Sequence, residues 1–323
     1  MNVLITSASR KVSLVRAFQK AVEETGGGRV IAVDTSPLAA ALYLADAHLL
    51  VPRLEEEAFL PDLVDLCQRE EVGLLIPTRD EELPFFAKHQ EDFSEVGTRV
   101  MVPSLKAVEI AQDKRRFVEF VLEHGFSTPS LRATPDPGAY PVFVRPRRGK
   151  GSRHVHIAHS QAELKRALAA LGGEGVVQEY VEAPEFTVDF FADFDGRAIS
   201  VVPRQRLVIF GGESFAGRTA RNPVIRDQAI GLAEKLGLIG HNTIQCFLRE
   251  GEVLFIEVNP RYGGGAHLGF AAGAPTPHFL IRLLQGERVE PMLDEWKDGF
   301  HMLRYTEDLF LDEDSLARGG SDA

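Results

Sequence analysis

Cysteine and tryptophan are both scarce in this chain: of its 323 residues, two are cysteine and one is tryptophan. Cys67 and Cys246 are far apart and neither has metal-ligand spacing, which argues against a disulfide framework or a cysteine-ligated metal. Two unpaired thiols suit a reducing compartment. The sequence also lacks a leader pattern and any apolar run approaching the about 20 residues of a membrane span. We therefore expect a cytoplasmic protein without a membrane partner.

Positive charge is also limited, since 36 Lys and Arg residues face 47 Asp and Glu residues and the formal net charge is −11. A chain of this sign binds a phosphate backbone poorly, so nucleic acid is not an expected partner. The 44% hydrophobic and 26% charged residues are ordinary for a globular protein. A local basic pocket can still hold a triphosphate within an acidic chain.

The first hundred residues alternate between short apolar runs and amphipathic stretches. The runs at 3–5, 30–33 and 74–76 predict strands, and the stretches between them have helical periodicity. Strands that alternate with helices pair in parallel through right-handed crossovers. Ligands bind such sheets beyond the carboxyl ends of the strands. Those ends carry residues 6–10, 34–36 and 78–82.

From residue 142 the pattern changes to mixed strands, hairpins and helices, with a capping box at Ser160 and Glu163. We therefore expect an α/β (α+β) fold in which an N-terminal parallel-sheet domain precedes two α+β lobes. The predicted divisions are 1–104, 105–182 with a linker helix at 105–125, 183–310, and an acidic tail at 311–323 that we expect to be disordered.

The most specific motif is the apolar strand that ends in Glu257, Asn259 and Arg261. Strand alternation places Glu257 and Asn259 on one face, and two oxygen ligands so spaced suit Mg²⁺. A three-residue loop at 250–252 would place Gln245 nearly opposite Glu257. Arg261 would then reach a phosphate. Taken alone, the same residues also fit a strand with a polar face that ends at a proline turn.

A second motif is a strand that ends in Arg145 and continues into a basic, glycine-containing loop. Backbone N–H groups and cations in such a loop can hold phosphates, although most basic loops are solvated turns. The candidate phosphate-binding residues of the loop are Arg148, Gly149, Lys150, Gly151 and Ser152.

A third motif is the strand carrying Gln178, Glu179, Tyr180 and Val181, followed by Glu185. A strand that passes into a linker can offer backbone groups to adenine, and Glu185 can accept from ribose hydroxyls. An ordinary β-hairpin with polar edge residues is the alternative.

These motifs occur in the order and spacing of the ATP-grasp superfamily, and the chain most resembles its carbamoyl-phosphate-synthetase-like branch of carboxylate–amine ligases. The segments that carry the resemblance are 3–16, 76–83, 113–114, 145, 178–180, 185–189 and 257–261. The resemblance implies ATP as cofactor with Mg²⁺, or alternatively Mn²⁺. It implies that Lys114, Arg145 and Arg261 are catalytic cations on the phosphates. Arg145 departs from the lysine of most of the superfamily.

The resemblance also implies further ligand contacts. Glu179 and Val181 would bracket adenine, Glu185 would hold ribose, and the metal would bind Gln245, Glu257 and Asn259. The candidate substrate contacts are Arg204, Arg206, Arg218, Gly263 and Gly264. For the arginines, a solvated surface position is the alternative.

The function implied is ATP-dependent ligation of a small-molecule carboxylate to an amine through an acyl phosphate. Dimers are common in such enzymes, so the resemblance is compatible with a homodimer. Three alternatives stay open. A nicotinamide-dependent dehydrogenase fits Asp34 but lacks the Gly-x-Gly-x-x-Gly turn. An ATP-binding regulator without ligase activity is compatible with Arg145 and Gln245. An enzyme that phosphorylates bicarbonate or carbamate is the third, although the chain lacks duplicated halves.

Overall fold

The N-terminal third of the chain forms a five-stranded parallel sheet in the order β3-β2-β1-β4-β5. The computed structural model describes residues 1–132, 139–149 and 154–318. The strands are β1 (Asn2–Ile5), β2 (Val30–Asp34), β3 (Ala47–Leu50), β4 (Val72–Ile76) and β5 (Arg99–Val100). The helices are α1 (Val12–Glu24), α2 (Phe59–Arg69), α3 (Leu83–Lys88) and α4 (Gln90–Ser94). The predicted alternation of strands and helices is confirmed, and β3 is an additional strand.

Each face of this sheet buries a separate apolar core. Val3 on β1 packs with Phe18 of α1, whereas the next residue, Leu4, packs with Leu63 of α2 and Phe86 of α3. Alternate residues of a strand point to opposite faces, so a continuous apolar run is what a doubly covered strand requires. A 3₁₀ helix, Asp80–Glu82, follows β4 at the carboxyl edge of the sheet.

Two consecutive helices, α5 (Leu105–Gln112) and α6 (Lys114–Glu123), follow the parallel sheet. The extended backbone of Asp113 separates them, and its carboxylate accepts hydrogen bonds from the N–H groups of Arg115 and Arg116. Asp113 is therefore the N-cap of α6. The linker predicted at 105–125 consists of two helices.

A small antiparallel sheet in the order β7-β6-β8 comes next. Its elements are β6 (Val142–Pro146), β7 (His156–Ala158), α7 (Gln161–Ala170) and β8 (Gly175–Glu179). Ser160 caps α7 by accepting from the Glu163 N–H at 3.3 Å, as predicted. The Glu163 carboxylate, however, accepts from the N–H of His159 at 2.8 Å.

A six-stranded antiparallel sheet in the order β13-β12-β9-β10-β11-β14 completes the fold. Its strands are β9 (Glu185–Ala192), β10 (Ala198–Phe210), β11 (Glu213–Thr219), β12 (Gly240–Arg249), β13 (Glu252–Asn259) and β14 (His301–Leu303). The remaining helices are α8 (Pro223–Leu236), α9 (His267–Ala272), α10 (Thr276–Leu284) and α11 (Glu313–Arg318). The predicted α/β fold with an N-terminal parallel sheet is confirmed.

Three details differ from the sequence-based expectation. Strand β10 continues to Phe210 and pairs with β11, which was not predicted. The helical periodicity predicts α8 from about residue 226, but the helix begins at Pro223, because Asn222 caps it and proline is favourable in the first turn. The tail that we expected to be disordered contains α11. None of the helices in the described ranges is both long enough and apolar enough to cross a membrane.

Candidate active site

A row of polar side chains crosses one face of the six-stranded sheet. Gln245 on β12 pairs with Glu257 on β13 and with Thr187 on β9. Thr187 pairs in turn with Arg204 on β10. Directly paired residues of antiparallel strands point to the same face, so these four side chains lie side by side. The opposite face, which includes Val188, packs against α8 in an apolar core.

The prediction that Gln245 lies opposite Glu257 is confirmed, but the reason given for it was wrong. The turn between β12 and β13 contains only two residues, Glu250 and Gly251, both with positive φ. A two-residue turn alone would place Gln245 opposite Ile256. A β-bulge between Gln245 and Cys246 shifts the register by one residue.

The predicted metal ligands Gln245, Glu257 and Asn259 lie on the same face of the sheet. The Asn259 amide donates to Glu257 Oε1 at 3.1 Å, and Gln245 Oε1 accepts from Arg206 at 3.3 Å. One carboxylate and two amide oxygens on the same face fit Mg²⁺, which binds few protein oxygens beside phosphate and water. Among the residues that the structure describes, no group of three or more His, Cys, Asp or Glu side chains could hold a metal ion.

A cavity of about 160 Å³ adjoins these ligands. It brings together parts of the N-terminal sheet edge, α5, α6, the loop after β6 and the end of β13. The lining residues are Asp80, Glu81, Ala111, Gln112, Lys114, Arg148, Gly149, Glu257, Val258, Asn259 and Pro260. Five of the residues predicted for the site therefore line one cavity.

Lys114 is the first residue of α6 and is largely buried. Its Nζ donates to the Gly149 carbonyl at 2.7 Å, and its own N–H donates to the carbonyl of Arg147. Burial lowers the pKa of Lys114, and Glu257 opposes that effect.

The side chain of Arg147 reinforces this junction with a bidentate ion pair to Asp113, at 2.8–2.9 Å. The sequence analysis did not assign a role to Arg147. The sequence motif Asp113-Lys114 pointed to this region, but it did not indicate that Arg147 is the partner of Asp113.

Arg145, on β6, is 3% exposed. Its Nη2 donates to the Ile256 carbonyl at 3.1 Å, and its Nη1 lies 3.9 Å from Glu257 Oε2. Burial lowers the pKa of Arg145, and Glu257 opposes that shift. Its buried Nε has no hydrogen-bond partner within the described ranges. An unsatisfied, buried guanidinium N–H is costly, so an anionic ligand that reached this donor would remove that cost.

Arg261 contacts the N-terminal sheet rather than β6. Its Nε and Nη2 donate to the two carboxylate oxygens of Asp80 at 2.8 and 2.7 Å, and its Nη1 donates to the Tyr262 carbonyl at 3.2 Å. Burial alone would lower the pKa of Arg261, but Asp80 outweighs it and the net shift is upward. The sequence placed Asp80 at a sheet edge but gave no sign of this partner.

The predicted nucleotide-base residues use their side chains within the protein. Gln178 is buried and donates to the Pro129 carbonyl at 2.8 Å. Glu179 accepts from the Ser130 N–H at 3.1 Å and from Arg249 at 3.3 Å. The bonds from Gln178 to Pro129 and from Ser130 to Glu179 attach the segment at 129–130 to β8. Tyr180 and Val181 follow the end of the strand, outside any regular element.

The predicted ribose ligand Glu185 is ion-paired with Arg206, one of the predicted substrate ligands. Arg206 also donates to the Gly212 carbonyl at 2.7 Å and to Ser214 Oγ at 3.2 Å. The polar row of the sheet therefore brings Glu185, Arg206 and Gln245 into one cluster.

The other predicted basic-loop residues include an exposed arginine and a glycine with positive φ. The Arg148 side chain is 68% exposed and lies 3.8 Å from Asp113. Gly149 adopts a φ of 141°, a conformation that side chains disfavour. Lys150, Gly151 and Ser152 lie outside the described residues.

The two remaining candidate arginines lie on opposite faces of the sheet. Arg204 is 2% exposed and forms a bidentate ion pair with Asp189, at 2.6 and 2.9 Å. Arg218 pairs in register with Gln205, the neighbour of Arg204, and is exposed. Adjacent strand residues point in opposite directions, so the structure does not bring Arg218 to the polar face.

The glycines after Arg261 lie close against the polar row. A Cβ at Gly263 would lie 2.7 Å from Thr243 Oγ1, and one at Gly265 would lie 2.6 Å from Arg204 Nη1. Gly264 is exposed, and its carbonyl accepts from Arg304. Glycine is therefore required here for close packing.

Family models match the two halves of this architecture separately. Residues 3–101 match the PylC-like N-terminal domain, and residues 111–265 match the ATP-grasp domain. The carbamoyl phosphate synthase large chain of Gemmatimonas aurantiaca is 26% identical over 256 residues, which cover 72% of this chain and 23% of that protein. The chain thus spans about a quarter of the length of this relative.

Solved structures resemble the whole architecture. A biotin carboxylase–β,γ-ATP complex from Campylobacter jejuni has a TM-score of 0.73 at 19% identity, and covers 93% of this chain and 74% of its own. An L-amino acid ligase from Bacillus licheniformis has a TM-score of 0.69 at 18% identity, with 90% and 77% covered. At these identities the likeness concerns the fold.

Proposed function

Because this chain is an ATP-grasp protein with a PylC-like N-terminal domain, we propose that it is an ATP-dependent carboxylate–amine ligase. It would phosphorylate a small-molecule carboxylate, release ADP, and pass the acyl group from the acyl phosphate to an amine with release of phosphate. The alternatives, an ATP-binding regulator and an enzyme that phosphorylates bicarbonate or carbamate, share the nucleotide site and differ in turnover.

The observation that carries this proposal is that three cations from separate segments surround one carboxylate. Arg145 lies 3.9 Å from Glu257. The charge of Glu257 also opposes the lowering of the Lys114 pKa by burial, and it contributes, after Asp80, to the raised pKa of Arg261. Asp80, Glu81 and Glu257 line the same cavity, so a polyphosphate bound there would need Mg²⁺ as well as these three cations to offset its charge.

Each cation would have a distinct part in phosphoryl transfer, which depends on placement and charge stabilisation. Lys114 and Arg145 would hold phosphate oxygens from the side of the small sheet. Arg261 would donate to the transferred phosphoryl group from the opposite side of the cavity. Bound Mg²⁺, or Mn²⁺ in its place, would be held by Glu257, Asn259 and Gln245 and would neutralise phosphate charge.

The nucleoside part of the proposal involves the polar row and the end of β8. The backbone of Glu179 and Val181 would bracket adenine. Glu185 would exchange part of its contact with Arg206 for the ribose hydroxyls. The acid would lie beside Arg261 and the exposed Gly264, near the carboxyl edge of the N-terminal sheet, where such sheets bind ligands. The domain divisions given above and a homodimer are further parts of this proposal.

The decisive experiment is a screen of carboxylic acids, with and without amines, for Mg²⁺-dependent release of ADP. We expect one acid class to stimulate ADP release and an amine to yield an amide that mass spectrometry detects. Nucleotide binding without acid-dependent turnover would instead favour the regulator. ADP release stimulated by bicarbonate alone would favour an enzyme that phosphorylates bicarbonate or carbamate.

The substitution Glu257→Gln tests the metal assignment. It keeps the side-chain volume but removes the carboxylate, so Mg²⁺-dependent turnover should fall by about 100-fold or more. Glu252→Gln, at the exposed start of the same strand, is the control and should leave turnover unchanged. Full turnover by Glu257→Gln would show that the assignment is wrong.

A further inference from the structure

We propose that Asp80 is a positioning residue for phosphoryl transfer: it holds Arg261 in its working orientation and, by its charge, weakens nucleotide binding. The turnover part of this inference rests on the proposed ligase function. The inference concerns a carboxylate from the N-terminal sheet that lines the cavity together with Lys114, Glu257 and Asn259.

The contacts of Arg261 fix the plane of its guanidinium group. Asp80 accepts from Nε and Nη2, and the Tyr262 carbonyl accepts from Nη1. A guanidinium group has five N–H donors, so these bonds use three and leave one N–H on each terminal nitrogen. Two donors on adjacent nitrogens suit bidentate contact with a phosphoryl group.

The segment that carries Asp80 is itself held rigidly. The buried Glu82 carboxylate accepts from the N–H groups of Thr78 and Arg79 at 2.6 and 2.9 Å, and from Thr6 Oγ1 at 3.0 Å. Gln112 at the end of α5 donates to the Asp80 carbonyl. The backbone that carries Asp80 is therefore attached to the carboxyl edge of the N-terminal sheet and to the end of α5.

The Asp80–Arg261 pair is also partly removed from water, with side chains 16% and 18% exposed. Charges in such a setting interact more strongly than surface charges do. Asp80 therefore repels an anionic nucleotide while it orients the cation that the nucleotide needs. Its removal should change affinity and rate in opposite directions.

A different result is expected if the Asp80–Arg261 salt bridge only joins the N-terminal sheet to the six-stranded sheet. Its loss would destabilise the protein and weaken binding and turnover together. If Asp80 positions Arg261, Asp80→Asn should tighten binding of the Mg²⁺ complex of AMP-PNP by about 3- to 10-fold. The same substitution should lower kcat by about 10-fold or more, because a misaligned donor loses most of its transition-state contact.

The experiment compares Asp80→Asn, Asp80→Glu and Arg261→Met, each alone, and Asp80→Asn combined with Arg261→Met. Calorimetric titrations would measure affinity for Mg²⁺–AMP-PNP and for Mg²⁺–ADP with aluminium fluoride, a mimic of the transferred phosphoryl group. Asp80→Asn should bind the first more tightly and the second more weakly. Asp80→Glu keeps the charge and should bind Mg²⁺–AMP-PNP with the affinity of the wild type. Glu23→Gln, an exposed change on α1, is the control for loss of one charge.

In the Arg261→Met background, Asp80→Asn should cause no further loss of kcat, because its effect on rate acts through Arg261. Parallel losses of both affinities, or additive losses of kcat in the double variant, would overturn the inference. If the wild type binds both nucleotide complexes but no acid yields ADP, the ligase proposal fails. The ratio of the two affinities would still test Asp80.

Discussion

Replacement of Arg204 by methionine tests whether this arginine supports the site from within the protein or contacts substrate. Arg204 and Asp189 each have side chains 3% exposed and share two hydrogen bonds. Arg204→Met keeps an unbranched apolar side chain but removes the guanidinium group, and it leaves the Asp189 carboxylate buried with His241 at 3.7 Å. Loss of one partner of a buried ion pair costs about 3–5 kcal/mol, and we expect a loss of this size in the free energy of unfolding at pH 7.

The pH dependence of this loss follows from the pKa of Asp189. Burial alone would raise that pKa, but Arg204 and His241 outweigh burial and lower it from 3.8 to about 2, which corresponds to about 2 kcal/mol. In the wild type this stabilisation is complete above pH 3.8 and is lost as the pH falls through about 2. In Arg204→Met the uncompensated burial raises the pKa instead. The difference between the two proteins should therefore be largest at pH 7 and shrink as the pH falls toward 4.

Urea denaturation followed by circular dichroism at pH 7, 5.5 and 4 measures this difference directly. Arg218→Met, on the opposite face of the same sheet, is the matched control and should change stability by less than about 0.5 kcal/mol. A loss below about 1 kcal/mol for Arg204→Met, or a loss that does not depend on pH, would refute this account of the buried pair.

Two further changes test neighbouring parts of the site. Lys114→Ala should weaken ATP binding by about 10-fold or more in a titration, because it removes a buried cation, whereas Lys106→Ala, at an exposed position of α5, should not; equal affinities would remove Lys114 from the phosphate site. Gly265→Ala should lower the free energy of unfolding by about 1–3 kcal/mol, since its Cβ would lie 2.6 Å from Arg204 Nη1; wild-type stability in a denaturant titration would contradict that contact.

The sequence predicted the parts of the fold that depend on local periodicity. The apolar runs that became β1, β2 and β4 are buried on both faces, so their composition carried a strong signal. Strands β3 and β14 were missed, since β3 is mostly half-buried and the residues of β14 alternate in exposure. The end of β10 was missed for the same reason, because residues 207–210 are exposed.

The candidate site was predictable where one strand carries the ligands, and less so where separate segments meet. Alternation along β13 placed Glu257 and Asn259 together. The contact of Asp80 with Arg261 joins residues 181 positions apart, and no local pattern indicates it. The pairs Arg204–Asp189 and Arg206–Glu185 were missed for a related reason. In a sequence, an arginine on a strand that binds a ligand cannot be distinguished from one that is paired with a carboxylate of the protein.

The ion pair between Asp113 and Arg147 limits how the site can open. Helix α6 is anchored in the apolar core of the six-stranded sheet through Phe117 and Val121, and its first turn is clamped to the end of β6 by Arg147. Any rotation of the small sheet that keeps this ion pair would therefore leave Asp113 and the adjacent Lys114 close to the end of β6.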